Sequence, residues 1–254
     1  MGQLRKPFQG ISNIIRFNWH FYLIAFATLL AIYGVSDLLD KPYNIILYWI
    51  VCLIMISITV SLVISLYVYD LSGLYKLEWL SELNIEPGNK LININAGFDE
   101  SSHLIRAKYP MTDLTVYDFY NPYKHTEISI KRARKAYPPF KDTQQVSTVA
   151  LPANDSSIDN IFIMLAAHEI RDTNERNLFC AELYRVLKDT GKIVITEHLR
   201  DVPNFIAYNI GFFHFMSRSS WYATFRSSGF RIYKELNTTP FITNFILEKN
   251  GVVR

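Results

Sequence analysis

Two long stretches without formal charge dominate the N-terminal part of the chain and constrain its fold most. The first runs from Trp19 to about Ser36 and contains one histidine, and the second runs from Tyr43 to Tyr69. A hydrocarbon core about 30 Å thick is crossed by roughly 20 apolar residues in a helix, so both stretches are long enough, or nearly so, to span a membrane. The alternative, a secretory signal peptide followed by a core helix, fits less well, because no small-residue cleavage site separates the stretches.

The charges around these stretches predict their orientation. Basic residues precede the first stretch and the connection is mostly acidic: Arg5, Lys6 and Arg16 against Asp37, Asp40 and Lys41. Because cytoplasmic segments carry the excess of Lys and Arg, we expect a helical hairpin with both ends in the cytoplasm. The predicted domains are 1–72, a cytoplasmic segment with a two-helix transmembrane hairpin, and 73–254, a domain on the cytoplasmic face of the inner membrane.

Composition and charge exclude several functions. The net charge of +3 is scattered, without the dense Lys/Arg run of a nucleic-acid-binding surface, so no nucleic acid partner is expected. Cys52 and Cys180 have no metal-ligand neighbour at the usual spacing, and the sequence predicts no metal site. The basic stretch 121–140 is interpreted as a solvated helix, with contact to anionic lipid headgroups as the alternative.

The rest of the chain alternates short apolar strands with helical patterns such as 174–187. The predicted strands are 90–94, 114–118, 145–152, 158–165, 191–198, 230–236 and 241–249. Strands that alternate with helices indicate a mostly parallel sheet covered on both faces, and the last two strands form an antiparallel edge hairpin. The predicted fold class is α/β, a Rossmann-like doubly wound seven-stranded sheet preceded by two transmembrane helices.

Three segments in a fixed order carry a resemblance to a known family. They are "EPG" before the first strand, "ALPANDSSIDNIFIM" at 150–164 and "ELYRVLKDTGKIVITEH" at 182–198. In kind and order they resemble the class I S-adenosylmethionine-dependent methyltransferases, over roughly residues 74–249. The resemblance implies an enzyme that transfers a methyl group, with S-adenosylmethionine as its cofactor.

The resemblance also implies which residues hold the cofactor. The loop after the first strand has one of the family's glycines, with Asn93 at its acidic position and Asn95, Gly97 and Asp99 at its glycine positions. One glycine would suffice if Asn95 and Asp99 adopted left-handed φ, which Asn and Asp tolerate better than most residues. Asp99 or Glu100 would receive the amino group of the cofactor's methionine. The remaining expected contacts are Asp118 with the ribose hydroxyls, Ser147 near the adenine, and Leu165 after the fourth strand.

Histidines after the fourth and fifth strands are the candidate catalytic residues. His168 with Glu169, and then His198, would take the proton of a hydroxyl acceptor, because the pKa of histidine lies near neutrality. A structural histidine is the alternative for each. The aromatic-rich segment 204–230 lies where the family builds its acceptor pocket. Its candidate contacts are His214, Phe215, Trp221 and Tyr222, with core packing as the alternative.

The sequence therefore predicts a membrane-anchored methyltransferase whose acceptor is lipophilic: an aromatic or polyene compound, a quinone or a lipid-linked intermediate. O-methylation is preferred because of the histidines. One alternative is a catalytically degenerate methyltransferase fold that serves as a membrane-tethered binding or scaffold protein, which the sparse glycine loop favours. The other is a nucleotide-dependent oxidoreductase, which would need G-x-G-x-x-G after the first strand.

Overall fold

A computed structural model describes residues 5–36, 38–125 and 127–251. Asp37, one of the acidic residues behind the predicted orientation, and the two chain ends of the predicted domains lie outside these ranges. Two long helices come first, α1 (Gln9–Ser36) and α2 (Lys41–Leu66), and they pack against each other. Pro42 in the first turn of α2 fits the helix start, where its missing N–H costs nothing.

Both helices are long and apolar enough to cross a membrane by length and composition, and only 6% of the most apolar window of each is buried. This exposure argues against the core-helix alternative. Helix α1 also begins ten residues before the predicted apolar stretch, at Gln9, and is kinked at Asn18, whose φ is −113°. The part of α1 before the kink packs against the rest of the protein, where Gly10, Asn13 and Phe17 are buried.

A seven-stranded sheet follows, in the order β3-β2-β1-β4-β5-β7-β6. The strands are β1 (Lys90–Asn95), β2 (Asp113–Asp118), β3 (Gln144–Gln145), β4 (Ile158–Met164), β5 (Leu187–Glu197), β6 (Phe230–Thr239) and β7 (Ile242–Lys249). The first five are parallel, and β7 is antiparallel to both β5 and β6. The predicted fold class is confirmed. The third strand is shorter than predicted, because after Gln145 the chain leaves the sheet for a turn closed by the Ser147–Ala150 bridge.

Five shorter helices accompany the sheet in the described ranges: α3 (Ser102–Lys108), α4 (Ile128–Ala136), α5 (Thr173–Val186), α6 (Val202–Tyr208) and α7 (Arg218–Ser227). Alternate residues of each strand face opposite sides, as the period of two requires. In β4, Ile161 packs into the core beneath α5 and α7, whereas Phe162 packs into the core beneath α3. Before β1 the chain forms two 3-10 turns, Leu74–Lys76 and Glu78–Glu82, separated by Leu77, whose φ is +54°.

Candidate active site beneath the apolar helices

The loop after β1 keeps the one glycine that its geometry requires. Gly97 has a φ of +93°, and a β-carbon there would lie 2.4 Å from Nη1 of Arg134. The expectation that Asn95 and Asp99 adopt a left-handed φ is wrong, because neither is among the described residues with positive φ. Asn95 instead accepts a hydrogen bond from the Gly97 backbone N–H at 2.8 Å, which closes the turn through its side chain.

Asn93 and Asp99 tie this loop to α3. Asp99 Oδ1 accepts from the backbone N–H groups of Ser101 (3.0 Å) and Ser102 (2.9 Å), and the fully buried Asn93 amide donates to both serine hydroxyls. These contacts use only part of each group, because Asn93 Oδ1 and Asp99 Oδ2 are buried without a hydrogen-bond partner among the described residues. Of the two acidic residues in the loop, Glu100 is the one that lines the main cavity, where it pairs with Arg5 and accepts from the Tyr75 hydroxyl at 2.7 Å. Burial raises the pKa of Glu100, and the Arg5 charge opposes that rise.

Asp118, at the end of β2, is buried beside the same loop. Its Oδ1 accepts from the Tyr120 backbone N–H at 2.8 Å, and its Oδ2 pairs with Arg134 of α4. A ribose bound here would have to share or displace that arginine. Leu165 lies at a φ of +50°, where its N–H donates to Thr196 O at 2.8 Å and its side chain lines the cavity. Ser147 is exposed and is not among the residues that line the cavity, so it takes no part in it.

His168 is held between two carboxylates. Its Nδ1 lies 2.6 Å from Oε2 of the fully buried Glu197, and its Nε2 lies 3.5 Å from Oε1 of Glu169. Burial alone would lower the pKa of His168, but Glu197 and Glu169 raise it to about 10. In this arrangement the imidazole already holds its proton near neutral pH, which does not favour the simple general-base role.

His214 reaches the same place from the 3-10 turn Asn209–His214. Its Nε2 lies 3.5 Å from Glu169 Oε1, and its Nδ1 lies 2.9 Å from Oε1 of Glu127. Arg171 donates to the same Glu127 oxygen at 2.8 Å and also contacts His214. Nδ1 of His214 therefore faces both a donor, the Arg171 guanidinium, and an acceptor, the Glu127 carboxylate, and its role depends on the tautomer.

His198 differs from His168 and His214 in its hydrogen-bond partners, which are uncharged. Its Nδ1 has two acceptors, Asn204 Oδ1 at 3.0 Å and Phe241 O at 2.9 Å, so Nδ1 carries the hydrogen and Nε2 accepts from the Tyr69 hydroxyl at 2.8 Å. Burial lowers the pKa of His198 to about 4. This histidine is therefore neutral, and it connects the end of β5 to the segment that follows α2.

A cavity of about 760 Å³ joins Glu100, Leu165, His168, Glu169, His198 and His214. Its lining residues do not include Asn93, Gly97, Asp99 or Asp118. The sheet contributes the ends of β1, β4 and β5, and the long helices contribute the roof. Residues from the roof include Gly10, Asn13, Ile14, Phe17, Phe21, Tyr22, Ser57, Ile58, Ser61, Ser65 and Tyr69. Of the predicted acceptor contacts, His214 and Phe215 line the cavity. Trp221 is fully buried in the core and Tyr222 donates to Glu235 at 2.6 Å, so the structure places both outside it.

Sequence reasoning missed the roof. The one signal of a site in the apolar stretches is the four-residue spacing of Ser57, Ser61 and Ser65. This spacing places the three serines on one face of α2. Phe17 of α1 packs edge-on against Phe98 of the glycine loop, with ring centroids 5.6 Å apart. Tyr137 donates to Asn13 at 2.8 Å, which fixes the helix further.

Comparisons with known proteins agree with this geometry. Residues 121–195 match the family model described as a methyltransferase domain. A comparison with curated proteins finds no match. Among solved structures, the [4+2]-cyclase SpnF is 14% identical with a TM-score of 0.52, over 71% of this chain and 81% of that one. A geranyl diphosphate C-methyltransferase from Streptomyces coelicolor A3(2), solved with Mg²⁺, geranyl diphosphate and S-adenosyl-L-homocysteine, is 11% identical with a TM-score of 0.50, over 68% and 78%. An S-adenosylmethionine-dependent methyltransferase from Clostridium acetobutylicum is 9% identical with a TM-score of 0.50, over 70% and 90%.

Sheet order, site and family match together define a class I methyltransferase fold. Within this fold, residues 121–195 carry the methyltransferase-domain match, which agrees with the family, the enzyme class and the S-adenosylmethionine cofactor predicted from the three ordered segments.

Proposed function

We propose that this protein is a membrane-anchored methyltransferase that transfers the methyl group of S-adenosylmethionine to a lipophilic acceptor, with an oxygen atom as the preferred target. The observation that carries the proposal is the composition of the cavity wall. One side consists of the strand ends and the glycine loop, where this fold binds its ligands. The other side consists of the two apolar helices.

The exposed surface supports anchoring in a membrane. Large apolar side chains cover α1 and α2 and continue onto α6 and the turn after it, which pack beside α2. In that segment Phe205, Ile206, Ile210 and Phe213 are about half exposed or more. A contiguous apolar surface of this extent marks a membrane or partner interface, and residues 202–213 would lie at the bilayer surface beside the hairpin.

The cavity suits one lipophilic molecule beside a cofactor. Its volume lies within the range of about 300 to 1,000 Å³ that small-molecule sites occupy. Its wall is mostly apolar and aromatic, with polar groups at the sheet end and also in the roof, where Asn13, Ser57, Ser61 and Ser65 line it. An acceptor dissolved in the bilayer would have its reactive group near His168 and its apolar part beneath α1 and α2. The basic stretch contributes less to lipid contact than its charge suggests, because Arg132 and Arg134 both turn inward.

Methyl transfer depends mainly on how the acceptor is positioned relative to the cofactor. The acceptor oxygen attacks the methyl carbon in line with the carbon–sulfur bond, from about 3 Å. That bond breaks, its electron pair stays on sulfur to give S-adenosylhomocysteine, and the acceptor hydroxyl loses its proton to water. The roof would keep the acceptor aligned and would exclude other water from the sulfonium.

One observation favours the alternative, a binding protein without activity. Arg134 pairs with Asp118 and lies against Gly97, where the ribose would bind. Titration with cofactor decides between the two functions.

Detergent-solubilised protein should bind S-adenosylmethionine in a calorimetric titration. Asp118→Asn should weaken the affinity about tenfold or more, because a hydrogen bond to a charged acceptor contributes roughly 1.5 to 3 kcal/mol. Asp113→Asn is the matched control, since Asp113 is the exposed first residue of the same strand. No binding by the wild type at millimolar cofactor would refute the enzymatic proposal.

Transfer itself is measured with tritium-labelled methyl cofactor and membranes of the expressing cells. Label should enter the fraction extractable into organic solvent, and Asp118→Asn should reduce it. Label found only in protein or in water-soluble compounds would contradict a lipophilic acceptor.

A further inference from the structure

We infer that His168, Glu169 and His214 form a binding site for a divalent transition-metal cation that opens into the cavity. The ligand atoms of the three side chains lie within 4.8 Å of one another. The sequence predicted no metal site, because His214 lies far along the chain from the other two residues.

The spacing of the three groups fits an ion better than it fits direct hydrogen bonds. Both histidine Nε2 atoms lie 3.5 Å from Glu169 Oε1, which is beyond the usual range for a hydrogen bond. Two ligands bound to one ion at about 2.1 Å and at a tetrahedral angle lie about 3.4 Å apart. Both Nε2–Oε1 distances match this value, and all three ligand atoms lie within 4.8 Å of one another.

The surroundings of the histidines support the same conclusion independently. Histidines that bind metal donate their other ring N–H to a carboxylate or carbonyl, which fixes the tautomer and turns the free lone pair toward the ion. Here His168 Nδ1 lies 2.6 Å from Glu197 and His214 Nδ1 lies 2.9 Å from Glu127. Each histidine thus has a carboxylate at Nδ1 and directs Nε2 at Glu169, and at His214 the Arg171 guanidinium also contacts Nδ1.

The ligand set indicates the kind of ion and its role. Two imidazoles with one carboxylate suit Zn²⁺, Fe²⁺ or Mn²⁺ rather than Mg²⁺, which prefers oxygen ligands and water. Three protein ligands leave coordination positions open, as in catalytic sites. All three residues line the cavity, so the open positions face the space assigned to the acceptor.

The role of the ion, unlike the site, rests on the proposed function. A hydroxyl bound to the cation loses its proton to water more readily. The resulting oxygen stays bound to the ion while it attacks the methyl carbon, and the ion is unchanged when the methyl ether leaves. The cation would thus supply the activation that the sequence assigned to a histidine base.

Metal binding is tested on the full-length protein in detergent, freed of metal by chelation and titrated with Zn²⁺. We expect one tight site, whose affinity falls about a hundredfold or more in His168→Ala and in His214→Ala. The control is His103→Ala, an exposed histidine of α3, which should leave the affinity unchanged. No tight site in the wild type, or a site insensitive to His214→Ala, would overturn the inference.

Glu197→Gln tests the positioning role separately. It keeps all three ligands but weakens the acceptor for His168 Nδ1–H, so Zn²⁺ affinity should fall about 10- to 100-fold. Co²⁺ provides a second readout, because its visible absorption reports nitrogen ligation directly, and the absorption should disappear in His214→Ala. A Co²⁺ spectrum that persists unchanged in that variant counts against the site.

The same samples are titrated with S-adenosylmethionine, which separates the two proposals. Cofactor binding without Zn²⁺ binding would refute the metal site alone, and Zn²⁺ binding without cofactor binding would refute the methyltransferase. His214→Ala should still bind the cofactor, which also shows that the variant is folded. Methyl transfer that persists in protein verified as metal-free would exclude the catalytic role of the ion.

Discussion

At the scale of single residues, the sequence identified the types of side chain at the site better than it identified their roles. Asp118 ends β2, and Gly97 and His168 follow β1 and β4, as the strand pattern indicates, whereas His214 lies in the 3-10 turn after α6. Asp99, which the sequence assigned to the cofactor, uses Oδ1 to accept from the backbone N–H groups of Ser101 and Ser102, and its Oδ2 has no hydrogen-bond partner in the described ranges. Such use of a side chain depends on backbone geometry that no spacing rule reveals.

The two histidines that end strands β4 and β5 illustrate this difference. His168 is surrounded by carboxylates, whereas His198 faces a phenol, an amide and a carbonyl. Their pKa values therefore shift in opposite directions, to about 10 and to about 4. The sequence, which shows only a histidine at a strand end, cannot separate them.

A pH dependence of stability follows for His198. Its pKa in the folded protein, about 4, lies below the unfolded value near 6.5, so the unfolded chain takes up the proton first as pH falls. Stability present above pH 6.5 is then lost progressively down to pH 4, by up to about 2 kcal/mol at pH 5. In thermal unfolding in detergent, the wild type should lose more of its Tm between pH 7 and pH 5 than His198→Gln loses. Parallel curves for both proteins would show that His198 does not titrate in this way.

At the scale of secondary-structure elements, the apolar patterns predicted most strands and the long helices, and they failed where tertiary contacts decide. The stretch at 146–152 is apolar enough for a strand, yet only Gln144 and Gln145 pair with β2. Helix α1 begins at Gln9, although its first turns are polar, because the Asp70 carboxylate accepts from the backbone N–H groups of Gly10 and Ile11, each at 2.8 Å. A helix start stabilised from sixty residues away cannot be read locally.

Asp70 should therefore matter for α1 as a whole. Asp70→Asn removes a charge that favours the positive end of the helix dipole, and we expect a loss of about 1 to 2 kcal/mol with faster tryptic cleavage at Arg16. Differential scanning fluorimetry and timed proteolysis in detergent measure both effects. Asp40→Asn is the matched control, since Asp40 precedes α2 without a side-chain capping bond. Equal effects of the two substitutions would contradict a specific role for Asp70.

At the scale of the whole molecule, the sequence predicted two parts, a hairpin and an α/β domain, and it did not predict that they enclose one site. The contacts that join them are distant in sequence, as between Phe17 and Phe98 or Arg5 and Glu100. The hydrophobic periodicity of a helix or strand indicates which of its faces is buried, but not which other element covers that face. The class of sheet could be predicted because the alternation of elements and a family resemblance indicated it, and the roof could not, because no motif described it.

The orientation of the whole protein in a membrane can be tested by labelling. In a Cys52→Ser background, Leu38→Cys lies in the exposed connection between α1 and α2, and Tyr123→Cys lies on the exposed surface of the α/β domain. A membrane-impermeant maleimide added to intact cells should label Leu38→Cys and should label Tyr123→Cys only after lysis. The reverse pattern would invert the proposed orientation, and equal labelling in intact cells would exclude a spanning hairpin.

The roof formed by α1 and α2 has a consequence for modularity. In most tethered enzymes the tether is an accessory that can be shortened, exchanged or removed while the catalytic unit stays intact. Here the residues before the Asn18 kink contact the glycine loop, as Phe17 does with Phe98, and in the proposed function the residues after the kink form the tether, so one continuous helix would do both. Removal of α1 and α2 to obtain a soluble protein would remove one wall of the candidate site. Replacement of these helices by an unrelated anchor would also change the proposed acceptor pocket.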